Sequence, residues 1–296
     1  MDDLSQAPFA QIFGAHESGR LTFEPTRSGV LSWNTHAESG RLEFRVLRAG
    51  RPASDWLDHS EWRPMGAKSL SPEHEGTRVD IDVIRATQPF DGIEVRARDV
   101  RFELLAFSSP ARPRQSLPYA RDALILDVPA RTQYEDQDEA GWCSPASLSM
   151  IHAYHAIDHS AAQTAREVFD RAYNGTGNWA FNVAYSGRLG LRGFVAHLTN
   201  LDHAARLIER NLPLAISYSW RDGELPGAPL DRSDGHLAVL CGFTREGDCA
   251  MNDPAAPNVR VVYPRAALEY VWQRNEGVAY VIAPIGIEYA DVLGLP

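Results

Sequence analysis

The sequence predicts an α+β protein in two parts. An N-terminal antiparallel β-sandwich is expected over residues 1–110 and a mixed domain over residues 123–296, joined by a linker at 111–122. Three observations carry this. The first hundred residues alternate apolar and polar with period two, a proline-rich segment follows, and the remainder shows helical patterns first and strand patterns later. A length of 296 residues suits one large or two ordinary domains.

In the first part, Leu42, Phe44 and Val46 alternate with polar residues, as do Val79, Ile81 and Val83, then Ile93 and Val95, then Val100, Phe102 and Leu104. Turn signals separate them: Ser39-Gly40, Gly50-Arg51-Pro52, Glu75-Gly76 and Asp91-Gly92. Short alternating strands at regular spacing read as a sandwich. Trp33, Trp56 and Trp62 offer a ligand platform, but packing within the sandwich is the stronger reading for such large side chains. Ser108 to Pro118 reads SSPARPRQSLP, with three prolines, two arginines and three serines in eleven residues. That composition makes a semi-extended connector.

In the second part, Leu124 to Pro129 is a short strand, and an acidic segment, Gln133 to Glu139, follows it. A helix is expected from the turn at Cys143 onward, with Ser144 as N-cap and Pro145 as first helical residue. Ser160-Ala161-Ala162-Gln163 is a capping-box pattern opening a second helix, with Ala162, Ala165, Val168, Phe169 and Ala172 on one side and Asn174-Gly175 at its end. Gly175 to Gly190 reads as a loop rich in glycine and aromatics. Strands follow at Gly193–Leu198, Leu212–Trp220, His236–Phe243, Asp248–Asn252, Arg260–Tyr263 and Val278–Ile282. Helices are expected at Asp202–Arg210 and Ala266–Gln273.

Composition excludes several function classes. Hydrophobic residues make up 44% and charged residues 23%, as in an ordinary globular protein. The net charge of −10 argues against nucleic acid or an anionic membrane as partner. Lys68 is the only lysine. The cysteines are Cys143, Cys241 and Cys249, an odd set with no C-x-x-C pair, so neither a disulfide framework nor a zinc site is expected. There is no signal-peptide pattern after Met1 and no apolar run of membrane-spanning length. The expectation is a cytoplasmic protein.

The chemistry starts at Gly141-Trp142-Cys143-Ser144-Pro145. A thiol at a helix N-terminus is favoured as thiolate, the nucleophilic form. A cysteine nucleophile needs a base, and the base needs an orienting partner. His236 begins a strand directly after Asp234-Gly235. If residues 244–247 form the loop of the following hairpin, residue 243 pairs with 248 and Asp253 lies opposite Ala238, on the same face as His236. Diagonal neighbours on one face are about 7–8 Å apart at Cα, within reach of a carboxylate and an imidazole. A slip of one residue would bring Asn252 there instead.

These segments, Gly-Trp-Cys-Ser-Pro-Ala-Ser before a helix, Asp234-Gly235-His236 before a β-run and Asn252-Asp253-Pro254, resemble the papain-like cysteine peptidase family C39 in its stand-alone bacterial branch. Gly177 to Asn182 also resembles that branch. The resemblance covers about residues 124–285 and implies a papain-like peptidase domain. It implies Cys143 as nucleophile, His236 as base and Asp253 as its orienter. It also implies a glutamine that helps form the oxyanion hole, either Gln133 or Gln137. Glu135, Asp136, Asp138 and Glu139 crowd that approach, and negative charge there would raise the thiol's pKa.

The expected activity is hydrolysis of a peptide or other amide bond through a thioester, with no cofactor and no metal. The rivals are acyl transfer by the same triad and a catalytically silent cell-wall or glycan-binding module. Trp142, Trp179 and Asn182 are candidates to line the substrate cleft. His152, His155 and His159, with Asp158, fall within about 60° on a helix, but read as a polar helix face. Cys241 and Cys249 read as buried thiols, and His197 and His203 as structural.

Overall fold

The computed structural model describes residues 9–110, 116–117, 122–135 and 141–287. The alternating segments of the first part form strands β1 (Phe9–His16), β2 (Ser18–Asn34), β3 (Gly40–Arg48), β4 (Arg51–Pro52), β5 (Leu57–Trp62), β6 (Lys68–Ser69), β7 (Glu73–His74), β8 (Thr77–Asp80), β9 (Val83–Arg98) and β10 (Phe102–Ser108). All pair antiparallel in one hydrogen-bonded network, with the main path β1-β10-β2-β9-β3-β5-β6. The long strands β2 and β9 lose register between Thr22 and Ser28 and so bend there. Leu31, Trp33, Leu42, Phe44, Trp62, Ile93, Val95 and Phe107 form the core of this part. Trp56 is half-buried between two arginines, with the Arg45 and Arg96 guanidinium carbons 4.7 and 4.2 Å from its ring.

The second part runs β11 (Leu124–Ile125), α1 (Cys143–Tyr154), α2 (Ala161–Val168), α3 (Trp179–Arg188), β12 (Leu191–His197), α4 (Leu201–Ile208), β13 (Leu214–Trp220), β14 (Ser233–Phe243), β15 (Cys249–Asn252), β16 (Arg260–Tyr263), α5 (Arg265–Arg274) and β17 (Val278–Pro284). Its strands make an antiparallel sheet ordered β12-β17-β13-β14-β15-β16, with β11 paired to β14. This is the α+β architecture the sequence predicts, and among the described residues no helix is long and apolar enough to cross a membrane.

Several local expectations are corrected. The helix α1 begins at Cys143 itself, with Trp142 as N-cap and no side-chain cap. Ser144 is not the cap because its hydroxyl points inward to Asn182 and Tyr280. Pro145 still sits in the first turn, where its missing N–H costs nothing. The Ser160–Gln163 capping box forms as read, but α2 stops at Val168, and Ala161 rather than Ala162 is buried. The segment expected as a loop, Gly175 to Gly190, contains α3. Asn178 caps it by accepting the Phe181 N–H at 3.1 Å. Every residue of α3 from Ala180 to Gly187 is buried, so it lacks the polar stripe that betrays a helix in sequence. Finally, Val79–Ile81–Val83 is not one strand: the chain reverses at Ile81-Asp82, between β8 and β9.

The two parts share a dry interface. Along the end of β2, Leu31 and Trp33 face the first core while Val30 packs into the second. The polar positions between them stitch the halves together. Ser32 Oγ accepts the Val195 N–H at 3.2 Å, and Asn34 Oδ1 accepts the Gly193 N–H at 3.0 Å. Asn34 Nδ2 donates to the carbonyls of Gly193 at 2.7 Å and Val183 at 3.1 Å. Phe181, Ala180 and Ala184 of α3 belong to the first core, Phe181 with its ring 6.1 Å from those of Trp33 and Trp62. His197 meets Ser108 at 2.9 Å across the same interface, so it is structural as read.

Asn34→Ala leaves the buried N–H and C=O of Gly193 without partners, while the Val183 carbonyl is still served by the ladder of α3. Unpaired buried groups cost about 1–3 kcal/mol each, so we expect a loss of about 3 kcal/mol after partial relaxation. Urea unfolding of the variant, followed by fluorescence and circular dichroism, checks this.

Candidate active site

The helix α1 packs its N-terminal turn against β14, and one bond sets the spacing. Ser147, one turn after Cys143, donates its hydroxyl to the Leu237 carbonyl at 3.1 Å. Leu237 follows His236, so the thiol and the imidazole are brought to the same cleft, where His236 is the main influence lowering the Cys143 thiol's pKa. Cys143 is half-buried, whereas His236 and Asp253 are buried.

His236 Nε2 lies 2.8 Å from Asp253 Oδ1. That leaves Nδ1 for the sulfur. The hairpin reaches this geometry by a route the simple count missed. Its turn is one residue longer than expected, pairing Phe243 with Cys249 rather than with Asp248. A bulge between Leu240 and Gly242 then removes the extra residue, and Val239 pairs with Asn252. Two errors of one residue cancel, and Asp253 arrives where the count placed it. Gly242 tolerates the bulge because its φ is +153° and a Cβ there would lie 1.9 Å from the Leu124 carbonyl oxygen. Asn252 does not take the imidazole. It donates to the Val128 carbonyl at 3.0 Å and accepts from Arg260 at 2.6 Å.

Asp253 is saturated. Oδ1 also accepts the Ala255 N–H at 3.0 Å, and Oδ2 accepts the hydroxyls of Tyr218 at 3.1 Å and Tyr263 at 2.7 Å. The rings of Tyr218 and Trp220 stand edge-on to His236, centroids 5.4 and 5.6 Å away. Neither tyrosine was legible as part of the site, since nothing in the sequence marks a phenol three strands apart as sharing a carboxylate.

The electrostatics follow from burial against these bonds. Burial disfavours the charge on Cys143, but the hydrogen bond and positive charge of His236, with the backbone of Leu237 and Ser144, outweigh it and lower the thiol's pKa. Burial likewise opposes charge on His236, yet Asp253 and Cys143 together raise it. Asp253 is lowered because its bonds to His236 and Tyr263 overcome its own burial. All three shifts act in the same direction, towards thiolate, imidazolium and carboxylate. Cys241 and Cys249 are free and buried, and burial outweighs the nearby charges of Arg260 and Arg265, pushing Cys241 up to about 12 and Cys249 higher still.

An open cleft of about 660 Å3 exposes Cys143 and His236. Trp142 and Trp179 line it as expected. Asn182 does not. It is fully buried behind the nucleophile, where it accepts the Ser144 hydroxyl at 3.1 Å and donates to the carbonyls of Thr176 and Asn178 at 2.8 and 2.7 Å. The opposite wall comes from the first sheet, through Asp80 to Val83. Asp82 is buried, and its Oδ2 accepts the Trp179 N–H at 2.6 Å, so a residue of one half caps a helix of the other. Burial raises its pKa to about 7 against the N–H groups of Trp179 and Ala180.

Gln133 is buried, its N–H bonded to the Pro254 carbonyl at 3.0 Å and its side-chain Oε1 unpartnered. Gln137, with Asp136, Asp138 and Glu139, lies outside the described residues. Glu135 accepts the Ala161 N–H at the start of α2. The histidines His152, His155 and His159 bond to Ser186, the Ile282 carbonyl and Tyr185.

The model of the Peptidase_C39 like family matches residues 125–280. Among solved structures, a Bacillus anthracis protein assigned as a C39-like peptidase is 17% identical, covering 55% of this chain and 98% of its own, with a TM-score of 0.43. A double glycine motif protease from an AMS/PCAT transporter, in complex with the leader peptide, is 20% identical, covering 57% of this chain and 99% of its own, with a TM-score of 0.38. No curated protein matches.

Iodoacetamide at neutral pH is expected to alkylate Cys143 well ahead of Cys241 and Cys249, as read by peptide mass mapping. His236→Ala removes the two largest causes that lower the thiol's pKa and leaves burial, which raises it. The thiolate fraction then falls, so labelling of Cys143 should slow, about tenfold for each unit by which the thiol's pKa rises.

Proposed function

The chain belongs to the Peptidase_C39 like family, and we propose that it is a cysteine peptidase working through Cys143, His236 and Asp253. The observation that supports this most is the buried His236–Asp253 pair at 2.8 Å, joined to a thiol at the mouth of an open cleft. The Cys143 thiolate attacks the carbonyl carbon of a peptide bond, forming a C–S bond. The negative oxygen is stabilised by the backbone N–H of Cys143 and by the side-chain amide N–H of Gln133, which acts as the second donor. The C–N bond then breaks, and His236 gives its proton to the leaving amine. Water attacks the thioester, His236 takes a proton from it, and the acid product leaves with the thiolate restored. Asp253 holds the imidazole in the tautomer that presents Nδ1 to sulfur. Residues 1–110 act as an accessory domain to the peptidase domain at 123–296.

Acyl transfer uses the same steps up to the thioester. The open cleft, which admits an amine as readily as water, favours keeping it as the second reading.

Cleavage of unstructured peptides, followed by mass spectrometry, tests the reading. Cys143→Ala should abolish it, and Gln133→Ala should lower kcat by about 100–1000-fold, the usual effect of losing one oxyanion donor. Retained activity in Cys143→Ala sinks the proposal. An aminolysis product with added amine, at the expense of hydrolysis, would move the assignment to transfer.

The pH profile has a stated sign. A thiol pKa below its ordinary value places the acid limb of kcat/KM lower than a free cysteine would. An imidazolium pKa above its ordinary value places the alkaline limb higher than a free histidine would. In Asp253→Ala the alkaline limb should move down, because the raising partner is gone.

A further inference from the structure

The turn that the first sheet sends into the cleft carries a cost with no structural return. Ile81 lies between Asp80 and Val83, which pair with each other in a tight reversal. Its φ is +61°, and the Asp82 N–H bonds to the Asp80 carbonyl at 2.8 Å. An i to i+2 bond about a residue of positive φ is the rare, strained form of the γ-turn. A β-branched residue is the worst choice for that backbone, and glycine the natural one. The neighbours do not require isoleucine there. Asp82 is buried and anchors the turn to the start of α3, and Val83 packs on the second core. Ile81 itself is only half-buried, and it lines the cleft that exposes Cys143. Strain of this kind persists where a function holds it in place.

The chemistry of the cleft says what the side chain meets. Ile81 shares the lining with Trp142, Trp179, Phe169 and Tyr173, and among the described lining residues there is no lysine or arginine. Asp80, Asp82 and Asp234 contribute carboxylates. Asp80 is paired with Arg78 and Arg85 and Asp234 with Arg221, so the described lining offers contact to an apolar side chain and no free cation to an acidic one.

We propose that Ile81 is a specificity-determining residue, contributed by the N-terminal sheet, that packs against an apolar side chain of the peptide substrate beside the scissile bond. The inference rests on the reading of the site as a peptidase. The sheet is then part of the substrate site, and the positive-φ turn is what pushes the isoleucine into the cleft.

The test compares the full chain with Ile81→Gly. A peptide library carries Leu, Ser or Glu in turn at each of the three positions on either side of the cleaved bond. In the wild-type chain one position should prefer Leu over Ser, with Glu worst. In Ile81→Gly that Leu-to-Ser ratio of kcat/KM should fall about tenfold, the lower end of the discrimination that apolar pocket contacts supply. Glycine relieves the turn, so Tm should hold or rise. A structural role would do the opposite, lowering Tm and slowing all peptides alike, and that result overturns the proposal. An unchanged ratio at every position overturns it too. If the wild-type chain shows no Cys143-dependent cleavage, the peptidase reading has failed. Binding of the same peptides to Cys143→Ala and to Cys143→Ala/Ile81→Gly, read by tryptophan fluorescence, then decides on its own. A Leu preference lost with Ile81→Gly supports the contact, and equal preferences in the two proteins overturn it.

Discussion

A carboxylate with no exposure to water has to be surrounded, and most of the C-terminal half serves that need. Asp253 is fully buried. An isolated charge in such a place would take up a proton rather than stay ionised. Here four donors meet it: an imidazole from β14, phenols from β13 and β16, and the N–H of Ala255. The four consecutive strands β13 to β16 must therefore be in register to within a residue, because three contribute one donor each and β15 leads into the carboxylate. The bulge at Cys241 and Gly242 follows from the same demand, since without it the longer turn would rotate the whole face of β15 away from His236.

Cys143 is placed by a second, independent set of contacts. Ser144 is held from behind by Asn182 and Tyr280, and Ser147 ties the helix to the strand that carries the base. Asn182 lies on α3, and α3 is clamped between the two sheets, with Phe181 in the first core and Val183 in the second. The position of the thiol therefore depends, through one helix, on a sheet that carries none of Cys143, His236 and Asp253. Asp82 closes the loop by capping that same helix from the first sheet.

Much of this was legible in the residues, and what was not has a physical reason. Periodicity of two announced the strands of the first part, and the Ser160–Gln163 box marked a helix start to the residue. The proximity of His236 and Asp253 could be read because they sit in a short hairpin, where local rules apply. The polar residues Ser32, Asn34 and Ser108 looked like the wet face of a strand, yet they are buried, since a second domain covers that face and uses them to satisfy its own backbone. The same covering hid α3: a helix packed on all sides shows no stripe. Tyr218, Tyr263 and Asp82 were invisible for a different reason. Their roles arise only from long-range register, which no window along the chain contains.

The seam between the sheets carries one more implication, for how such proteins can be rearranged. A binding module on a flexible tether can be exchanged for another without touching the enzyme it serves. This N-terminal sheet cannot be handled that way. Its strand β2 holds both hydrogen-bonding groups of Gly193 through Asn34 and fills the space beside Gly187, where a Cβ would come within 2.4 Å of Asn34. Any replacement would have to present an amide at that spot and a pocket for Phe181. The two halves are thus a matched pair, and a change in the first sheet's share of the cleft is more easily made at the tip of the β8–β9 hairpin than by trading whole domains.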